Sequence, residues 1–260
     1  MERPGDSFWS ETRRDVVRVH GPDTLTYLHS QVSQEVRTLD VGASRWTLLL
    51  QPNGRVDVLA RAWRTADDVV VLDTDAGFGD ELAARLSRFK IRVAADIERL
   101  DWACIAVRGS GAVDGGLAAW WGSDTDLLGP DVAPPDGIRQ GTADELERAR
   151  VAAGWPAMGA EIVPGAPIPA ETGLLPVAVD FRKGCYPGQE LVERMDSRGA
   201  DAPRRLRILE LGEDVPADAA PGDSISGADG ATVGTITSVA GDLALGYVRR
   251  GVELGRLTGP

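Results

Sequence analysis

The chain has 260 residues, 43% of them apolar and 26% charged, the balance of a soluble globular protein with room for one large or two to three small domains. No apolar run approaches the ~18 residues of a membrane span, and the polar opening MERPGDSFWSETRRD lacks the apolar stretch of a secretory signal, so a cytoplasmic protein without membrane segments is expected. A net charge of −12 opposes a surface built to follow a nucleic-acid backbone, and two cysteines and two histidines, none at CxxC or HxxxH spacing, argue against a zinc or iron–sulfur site held by this chain alone.

In chain order, 15–19 (DVVRV) reads as a strand, and Gly21, Pro22 and Asp23 form a turn that opens a helix predicted over 24–36. Leu25, Leu28, Val32 and Val36 mark its buried face; the opposite face, with Ser30, Gln31, Ser33 and Gln34, is polar without charge, and either meets solvent or lines a cleft. The runs 46–50 and 56–63 flank Pro52-Asn53-Gly54 and predict a hairpin, followed by a strand at 69–72. Asp80 is expected to cap a helix that buries Leu82, Leu86 and Phe89. Strands are predicted at 92–97 and 102–107, the second carrying Cys104 as a packed core thiol.

The glycines at 109, 111 and 115 miss the spacing of a dinucleotide fingerprint, so 108–116 reads as a strand-to-helix turn. A loop is expected over 121–141, a helix over 142–153 capped by Thr142 with Glu145 three residues on, and a proline-rich extended connection over 162–176. Beyond 204 the runs 206–211, 231–239 and 243–248, separated by turn residues, suggest a small barrel or sandwich, with a domain boundary at 200–204.

The segment FRKGCYPGQELVERM, residues 181–195, carries the chemistry. Pro187 suits the first turn of a helix, and the good helix formers of 189–195 follow, which puts Cys185 just before a helix N-terminus. There the peptide dipoles, together with Lys183 and Arg182, favour a thiolate, and Gly184 and Gly188 permit close backbone approach. A small packed residue in a glycine-flanked turn is the alternative, and His20 and His29, read as surface or packing residues, lie far off in sequence. Residues 182–207 sum to +3 within a chain of −12, a basic island suited to an anionic ligand or simply to a solvated helix face.

Lys183-Gly184-Cys185-Tyr186-Pro187-Gly188-Gln189-Glu190 resembles the K-G-C-Y-x-G-Q-E signature of YgfZ-type proteins, relatives of the glycine-cleavage T-protein, an aminomethyltransferase. The likeness extends to 21–36, to the hairpin at 48–59, to 150–159 with Ile168-Pro169-Ala170-Glu171, and to 234–248, nearly the whole chain. It implies an α+β fold, a three-lobed ring of antiparallel sheets with flanking helices and a small C-terminal β-barrel, divided as 1–42 with 105–200, 43–104 and 201–260. It also implies a tetrahydrofolate-binding accessory protein that supports iron–sulfur cluster assembly or repair, and through it iron–sulfur enzymes such as those that modify tRNA. The expected partners are folate and iron–sulfur assembly or client proteins, without direct nucleic-acid binding.

The resemblance marks Cys185 as the functional residue, its role as covalent, redox or metal-contacting group left open, with Asp57, Lys183, Tyr186, Gln189, Glu190 and Arg194 as candidate ligand contacts. T-proteins hold the pterin with a glutamate in an R-x-E-A-G run; here Ala152 replaces that carboxylate, which weighs against the alternative of an aminomethyl or one-carbon transferase. An RNA-binding module, drawn from the basic island, is the weakest reading given the overall acidity.

Overall fold

The computed structural model describes residues 7–120, 124–197 and 202–259, without the side chains of 196 and 197; Arg198 of the basic island, and residues 200 and 201 of the expected boundary at 200–204, fall outside them. In chain order the elements are β1 (Phe8–Thr12), β2 (Arg14–His20), α1 (Thr24–His29), β3 (Ser44–Leu50), β4 (Val56–Ala66), β5 (Val69–Asp75), α2 (Gly79–Arg88), β6 (Asp96–Leu100), β7 (Ala103–Arg108), β8 (Leu117–Ala118), β9 (Thr125–Gly129), β10 (Arg139–Gln140), α3 (Ala143–Ala152), α4 (Leu175–Ala178), α5 (Gln189–Ser197), β11 (Arg204–Glu210), β12 (Ser224–Ser226), β13 (Thr232–Ala240), β14 (Leu243–Arg249) and β15 (Arg256–Leu257).

The strands form three five-stranded sheets, in the orders β10-β1-β7-β9-β8, β3-β4-β5-β2-β6 and β12-β13-β14-β11-β15. Every pairing is antiparallel except β1 with β10. The expected α+β class with a C-terminal β-barrel unit is therefore the observed one. The chain passes from the first sheet to the central one between Thr12 and Arg14, and back between Leu100 and Ala103. No helix among the described residues is long and apolar enough to cross a membrane.

The central sheet is covered on both sides, which is why β4 is buried at consecutive positions from Val56 to Ala62 instead of alternating. One face packs Val17, Val58, Ala60 and Leu72 against Leu28, Leu82 and Leu86 of the helices. The other packs Trp46, Leu48 and Leu59 against Trp155, Met158 and Tyr186. The Trp46 and Trp155 rings meet at 4.7 Å between centroids, tilted by 57°.

Several expectations are corrected. The helix predicted over 24–36 stops at His29, because Ser33 is drawn onto β3: its amide donates to the Leu48 carbonyl at 3.0 Å and its hydroxyl to the Ala178 carbonyl at 2.6 Å. Gln31 and Ser33 on its polar face are consequently buried. Asp80 does not cap α2; Phe78 holds that position, and the Asp80 carboxylate pairs with Arg99 at 2.5 Å. Phe89 is 40% exposed and lies under the Arg85 guanidinium at 4.7 Å. Arg92, at φ 56, keeps 92–95 out of the sheet, and the strand there is β6. The segment expected as loop contains β9, paired with β7 in the first sheet, and 108–116 leads into β8 and not into a helix. The capping box at Thr142 forms as predicted, with Glu145 N–H donating to the Thr142 hydroxyl at 3.1 Å.

Candidate functional site

The cysteine motif is anchored by the residues on either side of Cys185. Lys183 is buried, and its ammonium donates to the His29 and Val32 carbonyls at the end of α1. Burial outweighs the attraction of Glu35 and Asp180 and lowers its pKa to about 8. Tyr186 is sunk into the apolar layer beneath β3 and β4, where burial pushes its phenol above the usual range. Between them Cys185 is exposed. The Lys183 charge expected to favour a Cys185 thiolate is spent on α1 carbonyls.

Two glycines let the motif dock on the β3–β4 turn. At Gly188 (φ +80) a Cβ would lie 2.4 Å from the Gln51 carbonyl oxygen, and at Gly54 (φ +82) one would lie 2.5 Å from Leu191 Cβ. Neither contact leaves room for a side chain, and both residues adopt a backbone region that suits glycine.

The remaining motif candidates bond within their own segment. Gln189 accepts from the Tyr186 amide at 3.3 Å and donates to Glu193. Glu190 and Arg194 form an exposed pair one helical turn apart at 2.6 Å. The basic island is not one patch: Arg204 pairs with Glu171 at 3.2 Å on the barrel sheet, while Lys183 is turned inward.

Asp57 lines an open cavity of about 380 Å³ with Gln51, Arg85, Arg88 and Phe89. Gln51 donates to its carboxylate at 2.7 Å, and Arg85 Nε stands 3.7 Å away. Of the seven candidate residues, Asp57 alone lines this cavity; Cys185 is not among its walls.

A second cavity, of about 200 Å³, lies where the first two sheets meet α3. Trp46, Trp120 and Trp155 supply flat apolar walls, and Arg14, Arg108, Asp75, Asp126 and Glu147 supply charge. Below it runs a buried chain of ion pairs. Arg61, fully buried, bonds Asp73 at 3.0 Å and Asp126 at 2.9 Å; Arg14 adds a bond to Asp73 at 2.8 Å and Arg108 one to Asp126 at 2.9 Å. The surrounding guanidinium groups hold the Asp126 carboxyl below the usual range against its burial. Arg150 ties α3 to the rest by bonding Glu147 at 2.7 Å, Glu161 at 2.9 Å and the Ser238 hydroxyl of the barrel at 2.8 Å.

Two donors at this second cavity, Trp46 Nε1 and Arg108 Nε, are buried without a hydrogen-bond partner among the described residues. Sequence reasoning misses this cavity because its walls come from five separate stretches, at 12–14, 46, 75, 108–126 and 146–157; unused tryptophans and arginines are the available signal. Cys104 borders a third, open cleft, yet is itself buried, and burial pushes its thiol up to about 12.

With this geometry in view, comparison with known proteins is informative. Residues 204–256 match the family described as CAF17, C-terminal beta-barrel domain. Human "Iron-sulfur cluster assembly factor IBA57, mitochondrial" is 26% identical over 266 residues, spanning 89% of this chain and 74% of that protein. The IBA57 homolog of Pyricularia oryzae is 26% identical over 234 residues, spanning 78% of this chain and 56% of that protein. The crystal structure of glycine cleavage system aminomethyltransferase T from Bartonella henselae superposes with a TM-score of 0.74 at 16% identity, covering 94% of this chain and 78% of that one. The chain is similar to the YgfZ/IBA57 group and has the T-protein fold. In that frame β11 to β15 are the CAF17-type barrel, and the motif around Cys185 lies in the connection leading into it.

Proposed function

We propose that this protein is an accessory factor of iron–sulfur cluster assembly that takes a folate-class ligand at the tryptophan-lined cavity and presents Cys185 to a partner protein. The observation that carries the reading is the contrast within one motif: Lys183 and Tyr186 are buried as anchors while the thiol between them is exposed. A structural cysteine in a glycine-flanked turn has no need of that arrangement. The relatives named as iron–sulfur assembly factors supply the process. The names of those relatives place them in mitochondria, and a cytoplasmic location is only proposed for this chain.

The residues at the second cavity fit a pteridine head. Trp46 Nε1, which has no hydrogen-bond partner among the described residues, and Arg108 Nε, which has none but stands 3.9 Å from the Asp124 carboxylate, suit the ring nitrogens and carbonyl of such a heterocycle, and Asp75 and Glu147 suit its amino edge. At about 200 Å³ the cavity accommodates a head group and not a whole drug-sized ligand, for which roughly 300 Å³ or more is usual. When bound, a tetrahydrofolate would supply a carrier for one-carbon units; the chain's own residues bind the head and keep water from it. Asp75 and Glu147 stand in this scheme for the carboxylate that Ala152 lacks.

Titration with tetrahydrofolate, followed by tryptophan fluorescence, tests the ligand, with quenching expected in the wild type and at least tenfold weaker binding in Trp46→Phe/Arg108→Gln. No quenching at millimolar ligand removes the folate part. Restoration of iron–sulfur enzyme activity, tRNA-modifying enzymes included, by the wild type but not by Cys185→Ser in cells lacking the protein tests the process. A one-carbon transferase is the second reading, favoured by Asp57 in the lining of its open cavity. It requires turnover that Asp57→Asn abolishes and Cys185→Ser leaves intact.

A further inference from the structure

The C-terminal end of α2 carries a concentration of positive charge that the function above does not use. Residues 82–95 hold Arg85, Arg88, Lys90 and Arg92 and no acidic residue, a local +4 in a chain of −12. Arg85 is only 5% exposed, yet it lines the open cavity of about 380 Å³ beside Asp57. It donates through Nη2 to the Leu50 carbonyl at 2.9 Å and through Nη1 to Gln31 at a long 3.4 Å. Its Nε is left 3.7 Å from one oxygen of Asp57, beyond hydrogen-bond distance, while the other oxygen accepts from Gln51 at 2.7 Å. Burial outweighs the pull of Asp57 and holds the Arg85 pKa below the ordinary guanidinium value, as for a buried cation with too little opposing charge. Arg88, in the wall of the same cavity, is exposed and has no carboxylate within ion-pair distance among the described residues. Just past the cavity, Phe89 and Ile91, the latter 77% exposed, leave apolar surface interleaved in sequence with two more cations. Of these, Lys90 stands 3.6 Å from the exposed Asp96, and Arg92 has no carboxylate partner among the described residues.

We propose that this end of α2 is a docking surface for an acidic segment of a partner protein. One partner carboxylate enters the cavity to meet Arg85 and Arg88, and apolar side chains next to it cover Phe89 and Ile91. A carboxylate matches the planar guanidinium fork, and a buried fork rewards the match more than an exposed one does. A phosphate dianion meets more repulsion from Asp57 in the same wall than a singly charged carboxylate does. A nucleic acid or an anionic bilayer also faces the net −12 of the whole chain, whereas a short peptide touches only the island. The hairpin that supplies Gln51 to the cavity also seats the cysteine motif, since a Cβ at Gly188 would lie 2.4 Å from the Gln51 carbonyl oxygen. A partner held here shares that hairpin with the Cys185 segment. Its identity as the partner to which Cys185 is presented rests on the reading in the preceding subsection; the docking itself does not.

The test is fluorescence anisotropy of a labelled synthetic peptide of glutamate and leucine residues, titrated with the full chain at low salt. We expect binding that the same peptide with glutamine for glutamate lacks, and binding at least about tenfold weaker in Arg85→Gln and in Arg88→Glu. Arg88 is exposed, so Arg88→Glu carries the comparison if Arg85→Gln fails to fold. Ile91→Ser should weaken binding about threefold through lost apolar contact. Arg13→Glu, an equal charge reversal at an exposed site away from α2, should stay within about twofold of wild type if the island and not net charge is read. No binding at millimolar peptide, or equal losses in Arg13→Glu and Arg88→Glu, overturns the docking surface. Retention on phosphatidylserine vesicles or on a polyuridine strand that Arg88→Glu abolishes, without peptide binding, overturns the choice of a protein occupant. Cys185→Ser should bind the peptide as wild type does. If Arg88→Glu loses the peptide yet restores iron–sulfur enzyme activity as fully as wild type, the docking surface stands and its part in cluster assembly falls.

Discussion

Replacing Gly188 by alanine probes the docking of the cysteine motif on the hairpin, and Gly42 offers a matched control. Both glycines have positive φ, +80 and +90, so alanine at either meets the same left-handed backbone penalty of about 1–2 kcal/mol. They differ in surroundings. A Cβ at Gly42 meets nothing within 4 Å, whereas at Gly188 it meets the Gln51 carbonyl oxygen at 2.4 Å, Leu50 Cβ at 2.9 Å and Gly54 Cα at 3.0 Å. Most of those are backbone atoms of a tight turn and cannot rotate aside, so an overpacking term of about 1–3 kcal/mol is added. At roughly 2–4 °C per kcal/mol for a chain of this size, Gly42→Ala should lower the melting temperature by about 2–8 °C, and Gly188→Ala by about 4–20 °C. Thermal unfolding followed by circular dichroism gives both numbers. Hydrogen exchange at the Gly54 amide, which bonds the Gln51 carbonyl at 2.8 Å, should quicken only in Gly188→Ala. Equal shifts in the two variants, within about 2 °C, would refute the claim that the motif is seated on that turn.

Arg61→Lys should destabilise by about 3 kcal/mol in a denaturant titration despite keeping the charge, because one ammonium cannot span Asp73 and Asp126 as the guanidinium fork does; a loss under about 1 kcal/mol would contradict the bridging role. Lys183 makes stability depend on pH in a definite direction. Its folded pKa of about 8 lies below the ordinary 10.5, so between those values the unfolded chain holds a proton that the folded chain does not, and stability rises with pH across that window. Wild type should therefore gain on Lys183→Met by roughly 3 kcal/mol between pH 8 and 10.5, at 1.36 kcal/mol per unit; a gap that stays flat would show that the ammonium is not desolvated. Ser238→Ala should cost about 1–3 kcal/mol in the same assay by taking a bonding partner from both Arg150 and Glu161, and a neutral result would remove that hydroxyl from the link to the barrel.

What the sequence determined by itself were features with short-range causes. The hairpin around Pro52-Asn53-Gly54, the capping box of α3 and the barrel strands after residue 204 rest on turn chemistry and on side-chain alternation over a few residues. The contiguous motif around Cys185 likewise carried its family resemblance in one stretch of chain. Tertiary structure decided what depends on contacts between distant residues. It ended α1 at His29, since Ser33 bonds β3 and Ala178 more favourably than it could continue a solvated helix. It also turned Lys183 away from Cys185, because an ammonium leaving water takes the nearest carbonyl oxygens, and those lie at the end of α1, 151 and 154 residues away in sequence. The tryptophan-lined cavity was invisible for the same reason. Its walls from Thr12 to Ala157 are gathered by buried ion pairs whose partners, such as Arg61 and Asp126, stand 65 residues apart, and local periodicity carries no record of such pairings.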